Sequence, residues 1–325
     1  GFIRLDWQTD FVQFEPIPLE RHEDAVCRIA AWNIEHDGLF DPERFEAQTR
    51  ILHAISPDVL IVHESFNHSA EEVLGRALKG HRNRVTITSK YTARPDDTAE
   101  HQMKVLEKSL RRLRTDYIDI YLNHAVNEVA RLENPEWQEF ASLAKEQGKI
   151  RAIGMSGHAP RLSQCMEYAL DERLVDVFLV AYNFAQQPSF KESAKAYLSE
   201  WLPSLDIIAS QARLPELIGR AHGEGVGVMV MKTLKGARVN DMRAYERPGR
   251  TFAQSAFRWV LSDPSVDGLV VSMTTREQID EFVEASGSDA PDREDLALLA
   301  RYLARNAGSS CLIGCGDCLS SSSRR

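Results

Sequence analysis

The sequence predicts an α/β fold of the (β/α)8, or TIM-barrel, class, and three observations predict it. Eight short apolar runs rich in Val, Ile and Leu recur at residues 27–33, 58–64, 84–90, 117–124, 149–155, 175–182, 226–232 and 268–272. Each is followed by a segment that reads as helical, the one after Tyr182 being delayed and irregular. Eight strands with eight crossovers is the number that closes a parallel sheet into a barrel. The chain has 325 residues, 43% of them hydrophobic, which suits one barrel of about 250 residues with short extensions.

Residues 1–24 mix aromatic, charged and proline residues without a period and read as an extension or short hairpin. The first strand, ending at Asn33, leads to a helix over 42–55 with Asp41 as N-cap and Pro42 at its first position, then to a strand ending at Glu64. The β-branched run 84–90 ends in Lys90. A helix follows with apolar Val105, Leu106, Leu110 and Leu113, and the strand after it ends in His124. A right-handed crossover between neighbouring parallel strands puts Lys90 and His124 side by side at the carboxyl edge, where such folds do their chemistry. Farther on, residues 188–211 are less regular, Pro215 marks a break or a helix start, and Cys165 falls in a helix. Residues 25–288 thus form the predicted barrel. A helix over 292–306 packs outside it, and 289–325 forms a C-terminal helix and cysteine tail.

A formal net charge of −9 excludes a broad nucleic-acid footprint. No apolar run approaches the roughly 20 residues of a membrane helix, and the start lacks a signal-peptide pattern, so no membrane partner is expected. Without an initiator Met the chain reads as trimmed or partial. Five cysteines, an odd count with three clustered at the end, point to a reducing, cytoplasmic setting.

The run SLRRLRTDYIDIYLNH over 109–124, preceded by Thr88, Ser89 and Lys90, resembles the aldo-keto reductase family. The resemblance spans residues 70–287. It implies a (β/α)8 barrel that transfers a hydride from NADP or NAD to a small aldehyde or ketone. Lys90 and His124 match two of the family's four catalytic positions. The other two, an aspartate and a tyrosine, belong just before Glu71 and are not found. Without gaps they fall on Val62 and Asn67, and with one gap on His63 and His68. Glu64 is the candidate partner for Lys90, and His68 or Tyr91 the candidate to reach a substrate oxygen. For the cofactor, the resemblance implies that Ser156 and Asn183 contact the carboxamide and that Lys232, Ser272 and Arg276 contact the phosphates. A helix N-terminus after the eighth strand adds a cradle for phosphate. The position of the family's arginine for a 2′-phosphate falls on Gln278, with Arg276 as a substitute.

Two further stretches point elsewhere. Ala31-Trp32-Asn33 with the strand ending at Glu64 is similar to the start of the endonuclease/exonuclease/phosphatase family, over residues 25–65. There the asparagine lies at the phosphate site and the glutamate binds a divalent metal, so a metal-dependent phosphoesterase using Asn33 and Glu64 is one rival reading. A non-catalytic nucleotide-binding barrel is another. Cys311, Cys315 and Cys318 have the spacing of the ferredoxin-like tail of some aldo-keto reductases, which holds a [4Fe-4S] cluster; the fourth cysteine's position is Ser322. The oligomeric state is not legible in the sequence.

Overall fold

The computed structural model describes residues 29–32, 59–62, 69–158, 160–186, 213–235, 237, 242–271, 276–285 and 290–306. They form a parallel eight-stranded sheet in sequence order, β1 (Ile29–Trp32), β2 (Val59–Val62), β3 (Thr86–Tyr91), β4 (Ile118–Asn123), β5 (Ile150–Gly157), β6 (Val177–Ala181), β7 (Gly227–Met231) and β8 (Gly268–Val270). Every described ladder is parallel, and β8 comes alongside β1, so the sheet curls back on itself. Each strand falls on a predicted run, with β3 extending one residue and β5 two residues beyond it. The helix predicted over 42–55 and the segment 188–211 lie outside the described residues.

The helices are α1 (Ser69–Ala77), α2 (Ala99–Leu113), α3 (Pro135–Glu146), α4 (Leu162–Asp171), α5 (Leu214–Gly223), α6 (Phe252–Leu261), α7 (Arg276–Ala285) and α8 (Arg293–Asn306). Their starts are written in the sequence. Thr98 caps α2 by accepting from His101 N, and Asn134 caps α3 ahead of Pro135. Thr251 and Gln254 cap α6 reciprocally. Pro215 sits in the first turn of α5, so it starts a helix rather than breaking one. Among the described residues no helix is long and apolar enough to cross a membrane.

Strand residues alternate between two environments. Ile87, Tyr91 and Tyr121 face outward into a core shared with α1, α2 and α3, built on Trp137 and Phe140. Met155, Phe178, Val180 and Val228 face outward into a second core with α4, α5, α6 and α8. Leu122, Leu179 and Met229 face inward and pack on one another with Ile120, Val177, Met231 and Val270. That inner cluster is a packed plug rather than a pore.

Buried charges tie the outer layer to the sheet. Glu71 of α1 is fully buried; it accepts from Ser89 Oγ at 2.7 Å and from Arg112 Nε of α2 at 2.6 Å. Asp295 of α8, equally buried, accepts from Arg247, Arg250 and Ser255 and so fastens the last helix over the loop after β7. At the opposite end of the sheet Tyr117 is stacked between Arg82 and Arg151, both of which also pair with Asp119.

The inner packing requires a glycine in β5. A Cβ on Gly154 would come within 2.1 Å of Val177 O and 2.6 Å of Leu122 Cδ2. Gly154→Ala is therefore expected to destabilise the chain by about 1–3 kcal/mol, the usual cost of overpacking. Urea unfolding checks this: the midpoint falls at constant slope, and an unchanged midpoint would contradict the packing described.

Candidate active site at the carboxyl mouth of the sheet

The β3–β4 ladder sets Thr88 opposite Ile120 and Lys90 opposite Leu122. Because Leu122 and Ile120 belong to the inner plug, Thr88 and Lys90 point inward as well. Lys90 is only 4% exposed. His124 follows β4 by one residue, and its N–H donates to Tyr91 O at 2.8 Å, which carries the pairing one step past the strand. Its ring is half-buried, with Nδ1 3.2 Å from Thr92 Oγ1. The predicted pair is thus brought to one mouth.

Tyr91 does not join it. As the next residue after Lys90 it takes the opposite face, packs toward the helices, and donates its hydroxyl to Asp97 Oδ2 at 2.8 Å. The other described tyrosines are also committed elsewhere: Tyr117 to two guanidinium groups, Tyr121 to Phe140, Tyr182 to Asp263, and Tyr245 and Tyr302 to each other and Phe252. Burial, with the Asp263 charge, pushes the Tyr182 phenol up from its ordinary value. Tyr168 lies on the helix α4. Among the described residues no tyrosine is placed to replace the family's proton donor.

Ser156 stands on the inward face of β5, buried, and its Oγ accepts from Ala125 N at 3.1 Å. It therefore sits against the turn that carries His124. Gly157 makes room for this turn, since a Cβ there would meet Val126 O at 3.0 Å. Asn183, two residues past β6, accepts from Ala185 N at 3.1 Å and donates to Lys232 O at 3.4 Å. Lys232 is exposed and left-handed, with φ of 58°, so β7 ends one residue earlier than the sequence predicts and the lysine belongs to the loop. Its neighbour Thr233 is buried with no hydrogen-bond partner for Oγ1. The helix α7 begins at Arg276, giving the predicted N-terminus beyond β8, and Gln278 lies in its first turn, half-buried.

Several candidates lie outside the described residues: Asn33, Glu64, His63, His68, Ser272, the side chain of Arg276, and Cys311, Cys315 and Cys318. Among the described residues no group of three His, Cys, Asp or Glu is placed to hold a metal ion. Cys165 is buried in α4 as predicted, and burial pushes its thiol up to about 11, which makes it a packing residue.

Sequence reasoning missed two residues. His158, just past β5, has its pKa lowered by burial first, then by the Lys232 charge and more weakly by Lys90. Both lysines act on it, so three basic side chains share the mouth. Arg131 is the other, 7% exposed and bonded to four oxygens around the β3 and β4 ends. The one available signal was a charge inside the apolar stretch Val129-Ala130-Arg131-Leu132.

A curled parallel sheet with a buried lysine, a histidine and a basic rim at its carboxyl edge defines an α/β protein with an enzyme-type mouth. Residues 64–207 match the model of the aldo/keto reductase family. It is similar to the L-glyceraldehyde 3-phosphate reductase of Escherichia coli (strain K12), 26% identical over 278 residues that cover 73% of this chain and 76% of the relative. Over 101 residues, 30% of this chain and 35% of the relative, it is 36% identical to the methylglyoxal reductase DkgA of Yersinia pestis. A crystal structure of an aldo-keto reductase from Klebsiella pneumoniae in complex with NADPH superposes with a TM-score of 0.60 at 23% identity, covering 85% of this chain and 90% of that one. At that identity the likeness shows the fold.

The basic rim has a measurable consequence. His158 disfavours its charged form, so it titrates below its ordinary 6.5. An NMR pH titration of the His158 ring is expected to give a midpoint under 6.5 that rises in Lys232→Met. A midpoint indifferent to that substitution would remove Lys232 from the mouth.

Proposed function

We propose that the chain is an NAD(P)H-dependent reductase of small aldehydes or ketones, working at the mouth between Lys90 and His124. The observation that carries this reading is the inward-facing, buried Lys90 with His124 beside it at one edge of the sheet, in a chain that resembles this family. The same reading takes the curled sheet as a closed (β/α)8 barrel, with 1–24 as an extension and 289–325 as the C-terminal helix and tail.

The residues present fit a nicotinamide dinucleotide. The mouth carries Lys232 and His158 beside a helix N-terminus, which suits a pyrophosphate, and Thr233 keeps a buried hydroxyl without a partner. Ser156 and Asn183 would hold the carboxamide, and Lys232 with Ser272 and Arg276 the phosphates. When bound, the reduced nicotinamide supplies the hydride. The named neighbours favour NADPH and a short oxygenated aldehyde, such as methylglyoxal or a phosphorylated triose, as the test ligands.

As a hydride reaches the carbonyl carbon, negative charge grows on the oxygen and must be met by a donor already in place. Lys90 meets it with an ammonium held in a low-dielectric interior, where a charge acts more strongly than in water. His124 delivers the proton. In its imidazolium form Nδ1–H donates to Thr92 Oγ1, and transfer of the Nε2 proton to the substrate oxygen leaves a neutral ring kept in place by that bond. This assigns the proton to histidine in place of the family's tyrosine.

Fluorescence titration tests cofactor binding first: NADPH is expected to saturate below high micromolar concentration, and an absence of binding there would reject the reading. With methylglyoxal as substrate, Lys90→Met and His124→Gln are each expected to lower kcat by about 10²–10⁴-fold, with little change in NADPH affinity. Full activity in both variants would place the chemistry elsewhere.

A further inference from the structure

Arg131 ends the short 3-10 turn Val129–Arg131, after the strand that leads to His124. Its guanidinium is buried beneath the loops at the mouth and meets four oxygens. Nε donates to Ala93 O at 2.7 Å and Nη1 to Ala125 O at 2.8 Å. Nη2 donates to Asn123 Oδ1 at 2.5 Å and to His124 O at 2.8 Å. None of these acceptors is a carboxylate, so the guanidinium's hydrogen bonds go to backbone and amide oxygens, with Glu128 and Asp97 acting on its charge from farther off. Burying a guanidinium this way is costly, and an apolar side chain would fill the same space more cheaply.

What the guanidinium holds is specific. Ala93 lies three residues beyond Lys90, and the remaining three acceptors are His124 and its two chain neighbours. Ala125 has φ of 53°, a left-handed conformation that an alanine rarely adopts. Its carbonyl is held by Arg131 and its N–H by Ser156 Oγ, so the strained residue is fixed from both sides. Strain of that kind, placed directly after a site histidine, is a device for aiming a side chain.

We infer that Arg131 is a positioning residue: one guanidinium locks the ends of β3 and β4 together and sets where the His124 imidazole points. Lys90 and His124 come from different strands, and the strand register fixes only their backbones. The loop beyond β4 sets the last step, and Arg131 sets the loop. The inference rests on the carbonyl-reductase reading for its consequence in catalysis, while its structural half is independent of that reading.

The test uses the full chain with Arg131→Met and Arg131→Lys. In the Met variant the His124 ring resonances are expected to shift and broaden in NMR spectra, while the other histidines in the described residues, such as His222 on α5, stay in place. With methylglyoxal and NADPH, kcat is expected to fall on the order of 10²-fold while KM changes far less, the signature of misplacement rather than lost binding. Millimolar guanidinium ion added to Arg131→Ala is expected to restore part of kcat. His124 resonances that superpose on those of the wild type would overturn the inference. So would loss of the fold in both the Met and the Lys variants, since Arg131 would then be a structural residue. If the wild-type chain reduces no carbonyl, the reductase reading fails and the resonance comparison still decides this one.

Discussion

The site depends on the register of one parallel ladder, in which Lys90 lies opposite Leu122. A slip of one residue would turn Lys90 out among the helices and bring Ser89 and Tyr91 into the interior. The outer face resists such a slip. Ser89 can donate to Glu71 only from that side, and Glu71, fully buried, would lose a partner it cannot replace from water. One ladder step in from the strand starts, Ile87 N donates to Asp119 Oδ2 at 2.9 Å, and Asp119 is held in turn by Arg82 and Arg151. Polar contacts on the helix side thus aim a lysine on the other side.

The interior that results is divided. The inward residues of β4, β6, β7 and β8 form an apolar plug around Leu122, Leu179 and Met229, whereas β3 contributes Thr88 and Lys90. Among the described residues the buried polar groups that face inward are Thr88 and Lys90 of β3 and Ser156 of β5. Gly154 is the hinge of this packing, because Leu122 fills the space its missing side chain leaves. A charge at the edge of such a plug has few competing water molecules, which is the condition under which a single donor contributes most to a developing oxyanion.

Much of this was legible in the sequence. Strand and helix order followed from apolar periodicity, because that signal is local. The juxtaposition of Lys90 and His124 followed from the handedness of a crossover, a rule of topology rather than of neighbours. Tyr91 was misjudged although the rule against it was available: adjacent strand residues face opposite ways, so it could not share the lysine's side. Lys232 looked like the end of a strand, but a left-handed backbone is seldom visible where no glycine or asparagine announces it. Arg131 and His158 were not legible, because what a side chain just past a strand meets depends on how the loops at the mouth fold over one another.

The distribution of charge sharpens the functional reading. The chain as a whole is acidic, with a net charge of −9, yet its buried acids are spent: Glu71 on Arg112, Asp119 on two arginines, Asp295 on two more. The basic side chains at the mouth, Lys90, His158 and Lys232, are grouped closely enough for both lysines to act on one imidazole. At physiological salt the screening length is about 8 Å, so a polyanion near the surface is governed by the groups within that distance and not by the net charge. An acidic exterior therefore does not oppose a phosphate-bearing ligand at this edge. On the reading proposed above, that ligand would lie beside the half-buried His124.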